Sequence, residues 1–131
     1  MGCCHCDRRR FQRLKVNLSV WFKLSPRFQM ISLPAGEEIE AQALDLSQEG
    51  ISIVTKHNIP IYAELIVMFI LFRMDRNGVI IFNEPLELTG EIRSNILFNN
   101  SERRLGIWFK NIDPEKRCSI SQYIASIEHN N

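Results

Sequence analysis

The sequence predicts an all-β, mainly antiparallel fold in which a small sheet or barrel carries one C-terminal α-helix. Three observations support this class. Apolar residues recur at every second position over most of the chain, which is the period of half-buried strands. Polar turn residues interrupt this alternation at short intervals, and only the segment after residue 112 changes to a helical period. With 131 residues, the chain has the length of one domain.

Strands are predicted one after another along the chain. The first spans residues 14–22, where Leu, Val and Phe alternate with Lys, Asn and Ser. Further runs follow at 28–33, 39–46, 51–55, 63–72, 79–82, 86–98 and 103–110. The run 63–72 is apolar almost throughout, which fits a central strand or a buried helix, and its Ile, Val and Phe residues favour the strand. Turns are predicted where Pro and Gly interrupt the pattern, at 34–36 and 76–78.

The C-terminal segment is predicted to form a helix that packs against the sheet. Asp113 can cap its N-terminus, and Pro114 suits the first helical position. The apolar residues that follow fall at i, i+3, i+4 and i+7 and share one face: Ile120, Tyr123, Ile124 and Ile127. Because a helix this short is marginal alone, its apolar face needs a surface to pack against.

The overall composition is typical of a soluble protein with a packed core. Hydrophobic residues make up 45% of the chain and charged residues 24%, close to the averages for globular domains. No run approaches the ~20 apolar residues that a membrane helix needs, and residues 1–10 do not resemble a signal peptide. The sequence therefore predicts a cytoplasmic protein without membrane insertion.

Charge is distributed unevenly along the chain. Residues 1–27 hold seven basic residues and one acidic residue, a charge of +6, whereas the remainder carries −5 and the whole chain +1. A basic segment on a mildly acidic body indicates an anionic partner at one end. A solvated basic tail would give the same pattern, so charge alone leaves both interpretations open.

Residues 1–7 are predicted to be a flexible, cysteine-rich tail that precedes a single domain at 8–131. Cys3, Cys4 and Cys6 surround His5. Structural zinc sites normally use two spaced pairs of ligands, and four ligands within four residues cannot easily enclose one tetrahedral ion. We therefore expect no metal site and no bound cofactor.

Catalytic signatures are not evident in the sequence. Its three histidines, His5, His57 and His129, fall in the tail, in a predicted loop and near the C-terminus. The chain has no nucleophile elbow, no HExxH helix and no glycine-rich phosphate loop. The sequence predicts a protein that is not an enzyme.

Two short motifs carry the functional prediction. Arg9 and Arg13 form an RxxxR that Arg8 precedes, and residues 45–50 form a DxSxxG. Each motif alone has a plainer interpretation. The arginines fit a solvated tail, and DxSxxG fits a polar turn between strands in which Gly takes a positive φ.

Taken in this order, with GIWF later in the chain, the motifs resemble the PilZ domain, the bacterial receptor module for cyclic di-GMP. The resemblance extends to RRLGIWFKNIDPEKR at 103–117 and covers nearly the whole chain. It implies a six-stranded antiparallel β-barrel with one C-terminal α-helix, so 8–131 is expected to form one PilZ-like domain. The cysteine-rich leader corresponds to no fixed pattern of the family.

The resemblance also implies roles for individual residues. Arg9 and Arg13 would clamp guanine and phosphate, while Asp45 and Ser47 would hold a guanine from the barrel side. The expected ligand-binding residues are Arg8, Arg9, Arg13, Asp45, Ser47 and Gly50, with Arg10 as an additional candidate.

These residue types suit the chemistry of cyclic di-GMP, which presents two guanines and two phosphates. Arginine can donate two hydrogen bonds to guanine O6 and N7, bind phosphate, or stack on a base. A carboxylate and a hydroxyl can accept from the N–H edge of guanine, and glycine allows a sharp turn and a close approach of the backbone. The predicted protein changes conformation on binding and regulates a downstream protein in motility, biofilm or exopolysaccharide formation, or virulence.

Two other functions are compatible with the sequence. One is a PilZ-like interaction module that does not use the nucleotide site. The other is a small nucleic-acid-binding barrel, in which Trp21 and Trp108 would stack on bases, although we expect each to pack in the barrel or under the helix. Positive charge concentrated in one short arm favours a small anion over nucleic acid, so no nucleic-acid partner is predicted.

Overall fold

The computed structural model describes residues 13–26 and 36–128. These residues form six β-strands and one α-helix, which confirms the predicted class. The elements are β1 (Leu14–Leu24), β2 (Ile39–Leu46), β3 (Gly50–Thr55), β4 (Glu64–Met74), β5 (Ile80–Leu97), β6 (Arg103–Phe109) and α1 (Pro114–Glu128). The predicted run 28–33 and the tail 1–7 lie outside the described residues.

The strands close into an antiparallel barrel in the order β1-β2-β3-β6-β5-β4. β1 and β4 complete the ring, and they pair only from Trp21↔Met68 to Leu24↔Leu65. In a ring of this order β3 and β4 lie on opposite sides. The barrel therefore has two outer faces that cannot contact the same small ligand.

The alternation seen in the sequence places one set of apolar side chains inside the barrel. As in small barrels generally, these side chains fill the interior and leave a packed core. The residues with 0% exposure include Val20, Phe22, Leu46, Ile51, Ile53, Leu65, Val67, Leu71, Ile92 and Leu105. The apolar run at 63–72 is a strand, as predicted, and forms most of β4.

The largest difference from the predicted elements is in β5. The sequence predicts separate strands at 79–82 and 86–98, whereas the structure has one strand of 18 residues. Pro85 lies within it, paired with Ile70 of β4. At this position β5 has no partner on its other side, because β6 pairs only from Gly90 onward. A proline is tolerated where no ladder hydrogen bond is required of its nitrogen.

Helix α1 packs against the barrel as predicted. The carboxylate of Asp113 caps the helix by accepting from the Glu115 amide at 2.9 Å. Ile120, Tyr123 and Ile124 are buried in the core. The hydroxyl of Tyr123 donates to the carbonyl of Phe72 at 3.2 Å. Neither the length nor the hydropathy of α1, the one helix in 13–26 and 36–128, suits a membrane span.

Candidate functional site

A β-bulge in β2 determines which way Asp45 points. Ala41 and Ala43 face the core, so uninterrupted alternation would also place Asp45 inside the barrel. The register of β2 against β3 shifts between Ala43 and Asp45, after which Asp45 pairs with Ser52 and Leu46 enters the core. Bulges commonly redirect a side chain in this way. The carboxylate of Asp45 consequently lies on the outer face of the barrel.

Two arginines from distant parts of the chain meet at this carboxylate. Arg13, just before β1, donates from Nη1 to Oδ1 of Asp45 at 2.5 Å, and Arg104 of β6 donates from Nη2 to Oδ2 at 2.8 Å. The Asp45 side chain is only 12% exposed, whereas those of Arg13 and Arg104 are 51% and 40% exposed. Each oxygen therefore has one arginine partner, and the carboxylate is fixed in orientation.

The turn after Asp45 is organised by Ser47. The buried Ser47 hydroxyl accepts from the amides of Glu49 at 3.1 Å and Gly50 at 3.2 Å. The Ser47 amide donates to the Gly50 carbonyl at 2.9 Å. A serine at this position satisfies the amides of its own turn, which is a common role for a serine hydroxyl. The polar turn predicted from DxSxxG is therefore present.

The reason for a glycine at position 50 differs from the expected one. The expectation was a positive φ or a sharp turn, but among the described glycines it is Gly36 and Gly78 that have positive φ. Gly50 begins β3 and pairs with Trp108 of β6. A Cβ at position 50 would lie 2.2 Å from the Ile107 carbonyl oxygen. Glycine is required there by the close approach of two strands.

The same turn is fastened to the C-terminal part of the chain. Glu49 accepts from the Phe109 amide through its carbonyl at 2.9 Å. Its carboxylate forms an ion pair with Arg117 of α1 at 3.2 Å. These contacts hold the Ser47–Gly50 turn against both β6 and the helix.

Both tryptophans lie on outer faces of the barrel, so the expectation that they pack inside or under the helix is wrong. Trp108 alternates with the buried Ile107 and Phe109, and the guanidinium of Arg93 lies 4.2 Å from the centre of its ring. A cation over an aromatic face is favourable. Trp21 is 38% exposed and pairs with Met68 on the opposite side of the barrel. We call the outer surface of β2, β3 and β6 around Asp45 the Asp45 face. Trp108, next to Gly50, is part of it.

The relationship of this fold to known proteins was established by comparison. A family model described as the PilZ domain matches residues 7–126. The chain belongs to the PilZ domain family. The resemblance expected from the RxxxR and DxSxxG motifs is confirmed at the level of the family. A comparison with curated protein sequences finds no match.

Solved structures with this PilZ fold include proteins from several bacteria. The structure of the Bacillus subtilis inhibitor of motility MotI/DgrA superposes with a TM-score of 0.71 at 16% identity and covers 95% of this chain, which spans 53% of MotI. The PilZ domain of YcgR from Escherichia coli with c-di-GMP superposes with a TM-score of 0.57 at 16% identity. The match covers 95% of this chain and 94% of the YcgR domain. The MrkH–c-di-GMP complex of K. pneumonia superposes with a TM-score of 0.59 at 14% identity. The match covers 95% of this chain and 54% of the MrkH chain. At these identities the likeness concerns the fold.

The described part of this PilZ domain brings together four of the predicted site residues. Arg13 contacts Asp45 directly, and Ser47 and Gly50 form the adjoining turn. The other predicted residues, Arg8, Arg9 and Arg10, lie outside the described residues. Arg104 was not predicted as a site residue, because alternation indicates that its side chain points outward but does not show that it reaches a carboxylate two strands away.

A metal centre does not form within 13–26 and 36–128, where no cluster of three or more His, Cys, Asp or Glu side chains has the arrangement to hold an ion. Cys3, Cys4, Cys6 and His5 lie outside these ranges, so the prediction concerning them stays a prediction. The chemistry of the described site is that of arginine and carboxylate. Such a site suits an anionic ligand with polar ring edges.

Proposed function

We propose that this PilZ domain is a bacterial cyclic di-GMP receptor without catalytic activity. The observation that carries the proposal is the 2.5 Å contact between Arg13 and Asp45. These residues are 32 positions apart and belong to the two separate motifs, RxxxR and DxSxxG. Their meeting on the barrel surface creates one site that combines positive charge for phosphate with a carboxylate for a base. The family membership and the structures of YcgR and MrkH with c-di-GMP support the same ligand.

In the proposed complex, Asp45 recognises guanine. A carboxylate offers about four lone-pair positions, of which the two arginines use two. The remaining positions can accept the N1–H and N2–H donors of guanine, while Arg104 keeps the carboxylate oriented. Arg13, which is half exposed, can also contact phosphate. Arg8 and Arg9, with Arg10 as an additional candidate, supply further positive charge from the same arm.

The proposed response to ligand is a closure of segment 8–13 over the nucleotide. Bringing several arginines together requires compensation of their mutual repulsion, and two phosphates provide it. Closure creates a new surface near the turn at Ser47–Gly50, which Glu49 connects to α1 through Arg117. Ordering a segment on binding costs conformational entropy, so a moderate affinity is expected.

The proposed receptor acts in the cytoplasm on a downstream protein partner. That partner would function in motility, biofilm or exopolysaccharide formation, or virulence, and MotI, a structural neighbour, is an inhibitor of motility. The receptor requires no cofactor besides its ligand. Neither nucleic acid nor a membrane is expected as a partner.

Calorimetric titration tests the proposal. Cyclic di-GMP is added to the wild-type protein, to Asp45→Asn and to a control, Asp113→Asn, which removes a carboxylate at the cap of α1. We expect saturable binding by the wild type and the control, and at least a tenfold loss in Asp45→Asn, because a charged hydrogen-bond acceptor is worth roughly 1.5–3 kcal/mol. A folded wild-type protein that does not bind cyclic di-GMP would refute the proposal and favour the interaction module.

A further inference from the structure

The outer face of β4 is apolar from Ile66 to Met74. Leu65, Val67, Phe69 and Leu71 point into the barrel. From position 66 onward the residues that point outward are apolar: Ile66, Met68, Ile70, Phe72 and Met74. Glu64, the first residue of the strand, also points outward and forms an ion pair with Lys110 at 3.6 Å. Ile70, Phe72 and Met74 are 45%, 45% and 47% exposed. A strand that is apolar on both faces is expected to be covered on both.

This apolar face continues onto the neighbouring strands. Trp21 of β1 lies beside Met68, and Pro85 of β5 lies beside Ile70. Helix α1 reaches only one edge of this surface. Its Tyr123 and Ile127 line a groove with Ile70 and Phe72, which each remain 45% exposed. We call this surface, made of Trp21, Pro85 and the five apolar outward residues of β4, the β4 face.

The exposed apolar area is large enough for a specific interface. A large aliphatic or aromatic side chain contributes on the order of 150–250 Å², so the partly exposed side chains of the β4 face together present about 500 Å². That value is at the upper end for the largest apolar patch of a monomer. A stable interface needs about 800 Å² per partner, part of which is always a polar rim.

The charges beside the β4 face are self-complementary. On one flank, β1 carries Lys15 and Lys23 and no acidic residue. On the other flank, β5 carries Glu87 and Glu91 on its outer side; Glu91 pairs with Arg93 at 3.2 Å, and Lys116 of α1 donates to the Glu87 carbonyl. A two-fold axis parallel to β4 places the basic flank of one copy against the acidic flank of the other.

We propose that the β4 face binds a second copy of this chain and forms a symmetric dimer. In such a dimer the same surface patch is used by both subunits. The net charge of +1 produces little repulsion between copies. Because β4 lies across the barrel from β3, the Asp45 faces of the two subunits point away from each other. Dimer formation is therefore independent of the nucleotide.

Sedimentation equilibrium tests this proposal over a range of protein concentrations. We expect the wild-type mass to rise from 15.3 kDa toward twice that value, with a dissociation constant in the micromolar range. Ile70→Glu should weaken the dimer at least about a hundredfold, because symmetry buries two unpaired carboxylates. Leu97→Glu is the matched control: Leu97 is 65% exposed but lies at the far end of β5, so this variant should dimerise normally.

A charge exchange identifies the interface without altering its apolar centre. Lys23→Glu and Glu87→Lys should each weaken the dimer about three- to tenfold, and the double variant should recover most of the loss. A wild type that stays at 15.3 kDa up to ~500 μM would overturn the proposal. The proposal would also be overturned if Ile70→Glu and Leu97→Glu changed the dissociation constant of the dimer equally. Binding of the β4 face only to a different protein would overturn it too.

Discussion

The outer surfaces of β3 and β4 are built by the same alternation but have opposite characters. Around β3 the outward positions carry Asp45, Ser52 and Arg104, and Gly50 leaves space for β6. Around β4 the outward positions from Ile66 to Met74 are apolar. Both strands contribute buried residues to the same core, so the difference lies in their outer surfaces. We propose different partners for the two faces, a small anionic ligand for one and a second copy of the chain for the other.

The two faces also differ in how their side chains are held. Asp45 has a fixed orientation because Arg13 and Arg104 each occupy one oxygen. Ser47 is committed to the amides of its own turn. By contrast, Ile70, Phe72 and Met74 are apolar side chains that remain 45%, 45% and 47% exposed. Polar recognition requires preorganised groups, whereas an apolar interface needs area and shape.

The largest expected effect is the loss of nucleotide binding when Arg13 is removed. Arg13→Ala should weaken cyclic di-GMP binding about a hundredfold or more, since a charged, paired contact contributes roughly 2–3 kcal/mol. The comparable exposed arginine Arg76, in the turn between β4 and β5, serves as a control. Titration calorimetry measures both variants. Wild-type affinity in Arg13→Ala would show that the Asp45 face is not the nucleotide site.

A second prediction separates the two glycines of the Asp45 face. Gly50→Ala places a Cβ against the Ile107 backbone and should lower the free energy of unfolding by about 3 kcal/mol. Gly106→Ala meets the Ser94 hydroxyl, a side chain that can rotate away, and should cost about 1 kcal/mol. Urea denaturation provides the comparison. If both variants unfold at the same urea concentration, close strand packing does not explain the glycine at position 50.

Much of the barrel could be predicted because its core follows a simple period. The alternation in 14–22, 39–46 and 103–110 corresponds closely to β1, β2 and β6. The helix was predictable from the Asp113 cap and its apolar face. The continuity of β5 was not, because Pro85 normally ends a strand and only the missing partner on one side explains why it does not.

The candidate site was predictable in its residue types but not in its geometry. Strict alternation would bury Asp45 beside Ala41 and Ala43, and only the bulge between β2 and β3 turns it outward. Arg104 belongs to the site because β3 and β6 are neighbours, and this pairing joins residues about fifty positions apart. Contacts of this kind depend on the order of strands in the barrel, which no local pattern encodes.

A third prediction concerns discrimination between bases at the Asp45 face. Adenine presents an acceptor where guanine presents the N1–H donor, so cyclic di-AMP should bind at least tenfold more weakly than cyclic di-GMP. Asp45→Ala should narrow that ratio. Arg104→Met should also narrow the affinity ratio of the two nucleotides, because the Asp45 carboxylate loses the arginine that orients it. Arg103→Met should leave the ratio unchanged, because Arg103 contacts Asn95 instead. An unchanged ratio in Asp45→Ala would mean that phosphate charge alone governs binding.

The smallest expected effect is a dependence of stability on alkaline pH. Burial raises the pKa of Tyr123 above its usual value of 10.0, although the nearby Arg73 charge acts in the opposite direction. The neutral phenol is therefore favoured in the folded state. The contribution of this neutral phenol to the free energy of unfolding is fully present below pH 10. It is lost as the pH rises through the pKa of Tyr123 in the folded state. Tyr123→Phe should flatten the decline in unfolding free energy above pH 10, whereas Tyr62→Phe, at an exposed site, should not.

Hydrogen exchange with and without cyclic di-GMP tests the central claim most directly, because it reports on both faces in one experiment. We expect increased protection at residues 8–13 and 45–50 when nucleotide is added. We also expect unchanged exchange in β4, from Glu64 to Met74, on the opposite side of the barrel. Identical exchange at 45–50 in both conditions, or protection confined to β4, would contradict a nucleotide site built around Asp45.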